Sequence, residues 1–279
     1  MKDQKMTNKK DTSLDVKRVS GIELPDYMKD EEILGLANLA EFVIPPRLKI
    51  VQKQSDDKLL EIYKPGDVLL TPSNAMVASL DPDTKSCSFN FVPLFMYPEW
   101  ATWNPIALKG QEPAIRYRTT DPTDPIVVKA RNKLLREELI PGREDGLKMR
   151  HVEHLNFIIM LVDHEFEGTP ALMSFSKGEW GAGSNLCSRI TMNKTVPIYG
   201  RAYTAHVAFR PGSGKGTWYG IDVDNPADRV SWVTEEQYPV FKALHVEFED
   251  HHKNSRLKAA LEDESNDPDP AAVIASEEF

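Results

Sequence analysis

Residues 203–223 constrain the fold of this chain more than any other stretch. They read Tyr-Thr-Ala-His-Val-Ala-Phe-Arg, then Pro-Gly-Ser-Gly-Lys-Gly, then Thr-Trp-Tyr-Gly-Ile-Asp-Val. Both flanks alternate with a period of two, the mark of half-buried strands, and the glycine-rich centre marks a tight turn. Tyr203, Ala205, Val207 and Phe209 fall on one face of the first strand; Tyr219, Ile221 and Val223 fall on one face of the second. The opposite face carries His206, Arg210 and Trp218, with Lys215 at the tip. Such a surface suits a single-stranded nucleic acid, whose bases stack on aromatic rings and whose phosphates need cations.

The turn at 211–217 also imitates the phosphate loop of adenylate kinases, in which glycine amides cradle phosphates and a lysine reaches them. That loop requires a glycine where this chain has Phe209. It must also open a helix, whose N-terminal amides hold the phosphate. Strand-forming residues follow here instead. The sequence favours a hairpin over a nucleotide-dependent enzyme built on Lys215.

Further short strands are expected at 47–52, 66–71, 76–80, 88–97, 155–162 and 171–176, the 155–162 strand being central because its residues 157–162 are all apolar. Pro93 marks the 88–97 segment as an edge or bulged strand, and Trp100 and Trp103 then fall in a proline-rich loop. Residues 109–150 read as a helical insertion, with Asp124 as cap and Pro125 at the first helical position. Val127, Ala130 and Leu134 form its inner stripe, and Lys129, Lys133 and Arg136 a cationic row on the outer face. Residues 177–184 read as a flexible glycine-containing loop, and 186–192 as either helix or strand. Thr234 to Gln237 has capping-box spacing ahead of a closing helix lined by Tyr238, Phe241, His245 and Phe248. His151, Glu153 and His154 sit at one end of the central strand and His164 at the other, a poor arrangement for a metal, and no cofactor is expected. The fold class is a β-rich α+β protein: an OB-like barrel or curved antiparallel sheet with helical insertions and disordered termini. Residues 1–22 form a disordered basic arm, 23–258 a single β-rich core domain, and 259–279 a disordered acidic tail.

The net charge of −9 argues against a polyanionic ligand until its distribution is considered. Beyond Lys258 there are seven acids and no base, leaving 34 basic against 36 acidic residues in the body. Two cysteines, Cys87 and Cys187, fit a reducing cytoplasm, that of the host cell if the protein is phage-encoded, and no apolar run is long enough to span a membrane.

The tail runs from Glu262 through Asp263, Glu264, Asp267 and Asp269 to Glu277, Glu278 and a terminal Phe279. An acidic tail ended by an aromatic residue resembles that of bacterial and phage single-stranded-DNA-binding proteins. The resemblance implies a non-enzymatic role in DNA replication or recombination. It also implies that Phe279 enters a partner's pocket, that Glu277 and Glu278 meet its basic rim, and that the acids compete with DNA for a cationic groove. On this body that groove is expected to use Trp218, Arg210, Lys215, Trp100, Trp103, Lys129, Lys133 and Arg136, on a monomer or a homo-oligomer. The rival reading is a virion or assembly structural protein of a phage, for which a β-rich body with floppy ends is equally natural.

Overall fold

The computed structural model describes residues 45–108, 111–162, 164–165, 168–192, 195–211, 217–224 and 231–254. The basic arm, residues 23–44 of the expected core domain, Lys215 and the acidic tail, with Glu277, Glu278 and Phe279, lie outside these residues. In chain order the strands are β1 (Arg47–Ile50), β2 (Val68–Thr71), β3 (Ala75–Ala78), β4 (Ser86–Trp103), β5 (Ile115–Thr119), β6 (Glu137–Leu139), β7 (Lys148–Val162), β8 (Pro170–Ser176), β9 (Arg201–Pro211), β10 (Thr217–Val223) and β11 (Ser231–Trp232). The helices are α1 (Asp57–Leu60), α2 (Pro125–Arg131), α3 (Trp180–Met192) and α4 (Gln237–Lys253).

The central strand is β7, as its unbroken apolar run requires. Leu155, Phe157, Ile159 and Leu161 enter one buried cluster, while Ile158, Met160 and Val162 enter a second on the other face. β4 pairs antiparallel with β7 from Asn90 opposite Val162 to Trp103 opposite Arg150. The sheet runs β10-β9-β4-β7-β8-β1-β2-β3, with β5, β6 and β11 as side branches. The contact of β1 with β8 is parallel, so the curved sheet is mixed and not wholly antiparallel.

The first cluster unites Leu48, Val68 and Val77 from one end of this path with Val207, Tyr219 and Ile221 from the other, so the sheet curls around it. A side chain bridges the two ends. Gln52 Nε2 donates to the Tyr219 carbonyl at 2.8 Å, and Gln52 Oε1 accepts from the Tyr219 amide at 3.0 Å. The amide group thus fills the place of a neighbouring strand. Further along the same edge, the Ile221 amide donates to Glu179 Oε1 at 3.2 Å, and Arg210 and Arg189 donate to the carbonyls of Ile221 and Val223. An edge strand with its polar groups satisfied is closed to pairing with another chain. Gly66 (φ +102°) lets the backbone pass where a Cβ would come within 2.8 Å of Leu80 and 2.9 Å of Tyr219.

On the second face, α4 packs Phe241 and Phe248 against Phe95, Tyr97 and Tyr199. Its capping box forms reciprocally: Gln237 N donates to Thr234 Oγ1 and Thr234 N to Gln237 Oε1, each at 3.2 Å. Among the described residues no helix is long and apolar enough to cross a membrane.

Four expectations change. β4 does not end at Tyr97 but continues through Pro98 to Trp103, so Trp100 and Trp103 lie on a strand and not in a loop. Pro93 and Pro98 fall where only β7 pairs with β4, between its pairings with β9 and β5, so a missing N–H breaks no second ladder. Asp124 and Pro125 start α2 as expected, with Asp124 Oδ1 accepting from Ile126 N at 2.9 Å, but the helix stops at Arg131. Lys129, Lys133 and Arg136 therefore form no helical row, and Leu134 is exposed instead of inside. The 109–150 segment is also not purely helical, since β5 and β6 extend the sheet. Finally, residues 180–192 form α3, with Gly183 set directly against Phe175.

Replacing Gln52 with alanine strips both partners from the Tyr219 backbone and is expected to cost about 1–3 kcal/mol. Thermal or urea unfolding measures this, and wild-type stability would show that the bridge is not needed.

Candidate nucleic-acid interface

β7 changes partners along its length. Residues 148–150 pair with β6 and residues 154–160 with β8, leaving residues 151–153 without a strand partner on that edge. The His151 amide is met by the Arg136 carbonyl at 2.8 Å. Beside Val152 and Glu153 a cleft of about 500 Å³ opens, bounded by Ala130, Arg131 and Arg136 on one side and by Lys177 and Trp180 on the other. This volume lies within the range of ordinary ligand sites.

The cleft joins cations to an aromatic ring. Arg131, Arg136 and Lys177 face one carboxylate, Glu153, and Trp180 is 40% exposed. Arg131 donates through Nε at 3.0 Å and Nη2 at 2.8 Å to Glu153 Oε1, and its guanidinium lies 5.2 Å from the Trp100 ring centre. That charge is therefore held in place but partly offset. Arg136 uses Nε on the Ala130 carbonyl at 3.3 Å and has no acidic partner among the described residues. Lys177 holds a left-handed conformation (φ 49°), unfavourable for a side chain with a Cβ, with its ammonium 5.6 Å from the Trp103 ring centre.

The expected contacts divide clearly. Trp103 stands half-buried beside Lys177, with its indole near His154. Trp218 borders the same turn, since a Cβ on Gly178 would lie 3.4 Å from its ring. Trp100 is 1% exposed beneath α2, packed on Ile126, Val127 and Ala130, and donates to Glu153 Oε1 at 3.1 Å; it is a packing residue and cannot present a stacking face. Arg210 is paired with Asp222 at 2.6 Å, and His206 lies 2.7 Å from an Asp224 carboxylate oxygen, so carboxylates stand beside both on the outer face of the hairpin. Lys129 is paired with Glu138. Lys133 is exposed on the turn after α2. Thr217, the first described residue after Pro211, begins the strand β10 and not a helix.

Sequence reasoning passed over Arg131, Lys177 and Trp180. The last two lay in what looked like a glycine-rich loop; Ala182, Leu186 and Ile190, four residues apart and packed on the core, were the available helical signal.

Buried polar groups stabilise the surroundings. His151 bonds Thr102 at 2.9 Å and Glu138 at 3.2 Å, whereas His154 lies on the opposite face of β7, so the two histidines diverge. Burial, with Arg47 and Lys177 nearby, pushes the His154 pKa down to about 3, leaving a neutral ring. Glu179 is raised to about 7, chiefly by burial, against its bond from Ile221 N and the nearby Arg210 and Arg47. Between its ordinary value of 4.5 and about 7, the folded state holds a proton that the unfolded chain has released. The stability this provides is complete below 4.5 and is lost as pH rises through 7. Glu179→Gln is therefore expected to match the wild-type melting temperature at acidic pH and to exceed it in alkaline buffer, read by thermal unfolding. A larger advantage in acid would contradict this.

No curated protein and no solved structure matches the chain. One family profile does, that of the Pam3 phage gp34-like protein, over residues 17–254. That span takes in every described element, and the chain is a member of the Pam3 phage gp34-like family, a phage protein.

Proposed function

We propose that this protein binds single-stranded DNA during phage replication or recombination, without catalysing a reaction, through the cleft between α2 and the turn at Lys177–Trp180. One observation carries the reading: an exposed indole, Trp180, shares a cleft with Arg131, Arg136 and Lys177. Stacking a base on an aromatic side chain is worth roughly 1–3 kcal/mol, whatever the base, and neighbouring cations hold the phosphates. The body as a whole is close to neutral, so the attraction has to be local, and these cations supply it. Trp103 and Trp218, around the same turn, extend the surface along which a strand can lie. In this reading the acids of residues 259–279 compete for the cleft, and Phe279, with Glu277 and Glu278, engages a replication or recombination partner.

The test is fluorescence anisotropy of a labelled oligothymidylate at two salt concentrations. Wild-type affinity is expected to fall steeply with salt. Arg136→Ala and Lys177→Ala should each flatten the log–log slope by about 0.7, the increment for one phosphate contact on a single strand. Trp180→Ala should weaken binding by roughly 1–3 kcal/mol at all salt concentrations. Lys129→Ala should change little, because its charge is paired with Glu138. Absence of binding at low salt, accompanied by self-association into large particles, would instead favour the virion or assembly role.

Removing residues 261–279 takes away seven negative charges. Truncation is expected to tighten DNA binding at low salt, with the gain shrinking as salt is added. Equal affinities at low salt would leave the tail without a competing role.

A further inference from the structure

The turn after α2 carries the most exposed large apolar side chain among the described residues. Leu134 is 89% exposed and Leu135, beside it, 48% exposed. A leucine turned to water forgoes the gain of burial. The turn is nevertheless fixed. The Asn132 amide donates to the Val128 carbonyl and caps α2, Leu134 N donates to Asn132 Oδ1 at 3.0 Å, and Leu135 N to the Asn132 carbonyl at 3.0 Å. Arg136, which follows, is bonded through Nε to the Ala130 carbonyl and through its own carbonyl to the His151 amide. The leucines are thus held out on a stiff support.

Their surroundings select the occupant. Arg131 and Arg136 bracket the turn and both line the cleft, and Lys133 stands exposed next to Leu134. Lys133 and Arg136 have no acidic partner among the described residues. An apolar partner helix gains nothing from two cations without an acidic partner beside its contact, but a polyanion carrying flat apolar bases matches both features. Proteins that deform nucleic acids place leucine in this way, as a wedge between adjacent bases.

We infer that Leu134 and Leu135 form an unstacking wedge, which opens one base step of the strand held in the cleft while Lys133 and Arg136 grip the flanking phosphates. This rests on the single-strand reading of the cleft. The wedge drives two bases apart beside Arg136, which also lines the cleft. The ligand is therefore held in a single register, and strongly stacked strands are penalised relative to weakly stacked ones.

The experiment uses 2-aminopurine, which brightens when unstacked, placed at successive positions of a short adenine-rich single strand. The full-length wild-type protein is expected to brighten one position several-fold at saturation. The double variant Leu134→Ala/Leu135→Ala is expected to bind with similar affinity but to abolish the brightening, with circular dichroism showing an unchanged fold. Arg136→Ala should instead weaken binding while leaving the brightening at saturation intact. Saturable binding with no bright position, or brightening that survives in the double variant, overturns the wedge and leaves the cleft reading standing. Failure of the wild type to bind overturns both. Conversion of a stable wild-type dimer to monomer by the double variant, seen by sedimentation, would assign the leucines to a second copy and overturn the wedge as well.

Discussion

The structure depends on one long strand that must be buried on both faces. From Phe157 to Val162, β7 presents apolar side chains in both directions, so it needs a curled sheet and α3 against one face and α4 against the other. Its N-terminal half is different. There His151, Glu153 and His154 replace the apolar run, and the partner strand passes from β6 to β8. A strand that changes neighbours leaves a break in its edge, and the cleft lies at that break. The core and the cleft are thus two consequences of one strand whose composition changes midway.

Curvature is completed by side chains. Gln52, Glu179, Arg189 and Arg210 take up the outward-facing backbone groups of β10, which lets the sheet end without another strand. The same contacts tie Arg210 to the edge of β10 and to Asp222. The charge of a cation seen in the sequence is offset where the fold pairs it with an acid, as it does for Arg210 and Lys129 and, within the cleft, for Arg131.

Much of the fold was legible in the residues. Alternation in 203–211 and 217–223 gave the hairpin and its inner face, apart from Phe209, which emerges at the tip; the continuous apolar run gave the central strand. Short-range chemistry also carried through, in the Asp124 cap and the capping box of α4. What failed was long-range. Nothing local tells that β4 crosses Pro98 and continues as a strand, because the permission comes from an unpaired flank set by β9 and β5. The site suffered for the same reason. Trp100 looks like Trp103 in the sequence, yet one lies beneath α2 and the other beside Lys177. Arg131 and Trp180 are separated by about fifty residues and are brought to one cleft only by the exchange of partners along β7.

The most direct measurement of the central claim is photo-crosslinking of the full-length protein to a single strand carrying 4-thiothymidine, followed by mass-spectrometric mapping of the joined peptides. The account predicts crosslinks concentrated at Lys177–Trp180 and across residues 131–136, on the two walls of one cleft. Crosslinks confined to α4 or to β1–β3, or spread evenly over the surface, would contradict it.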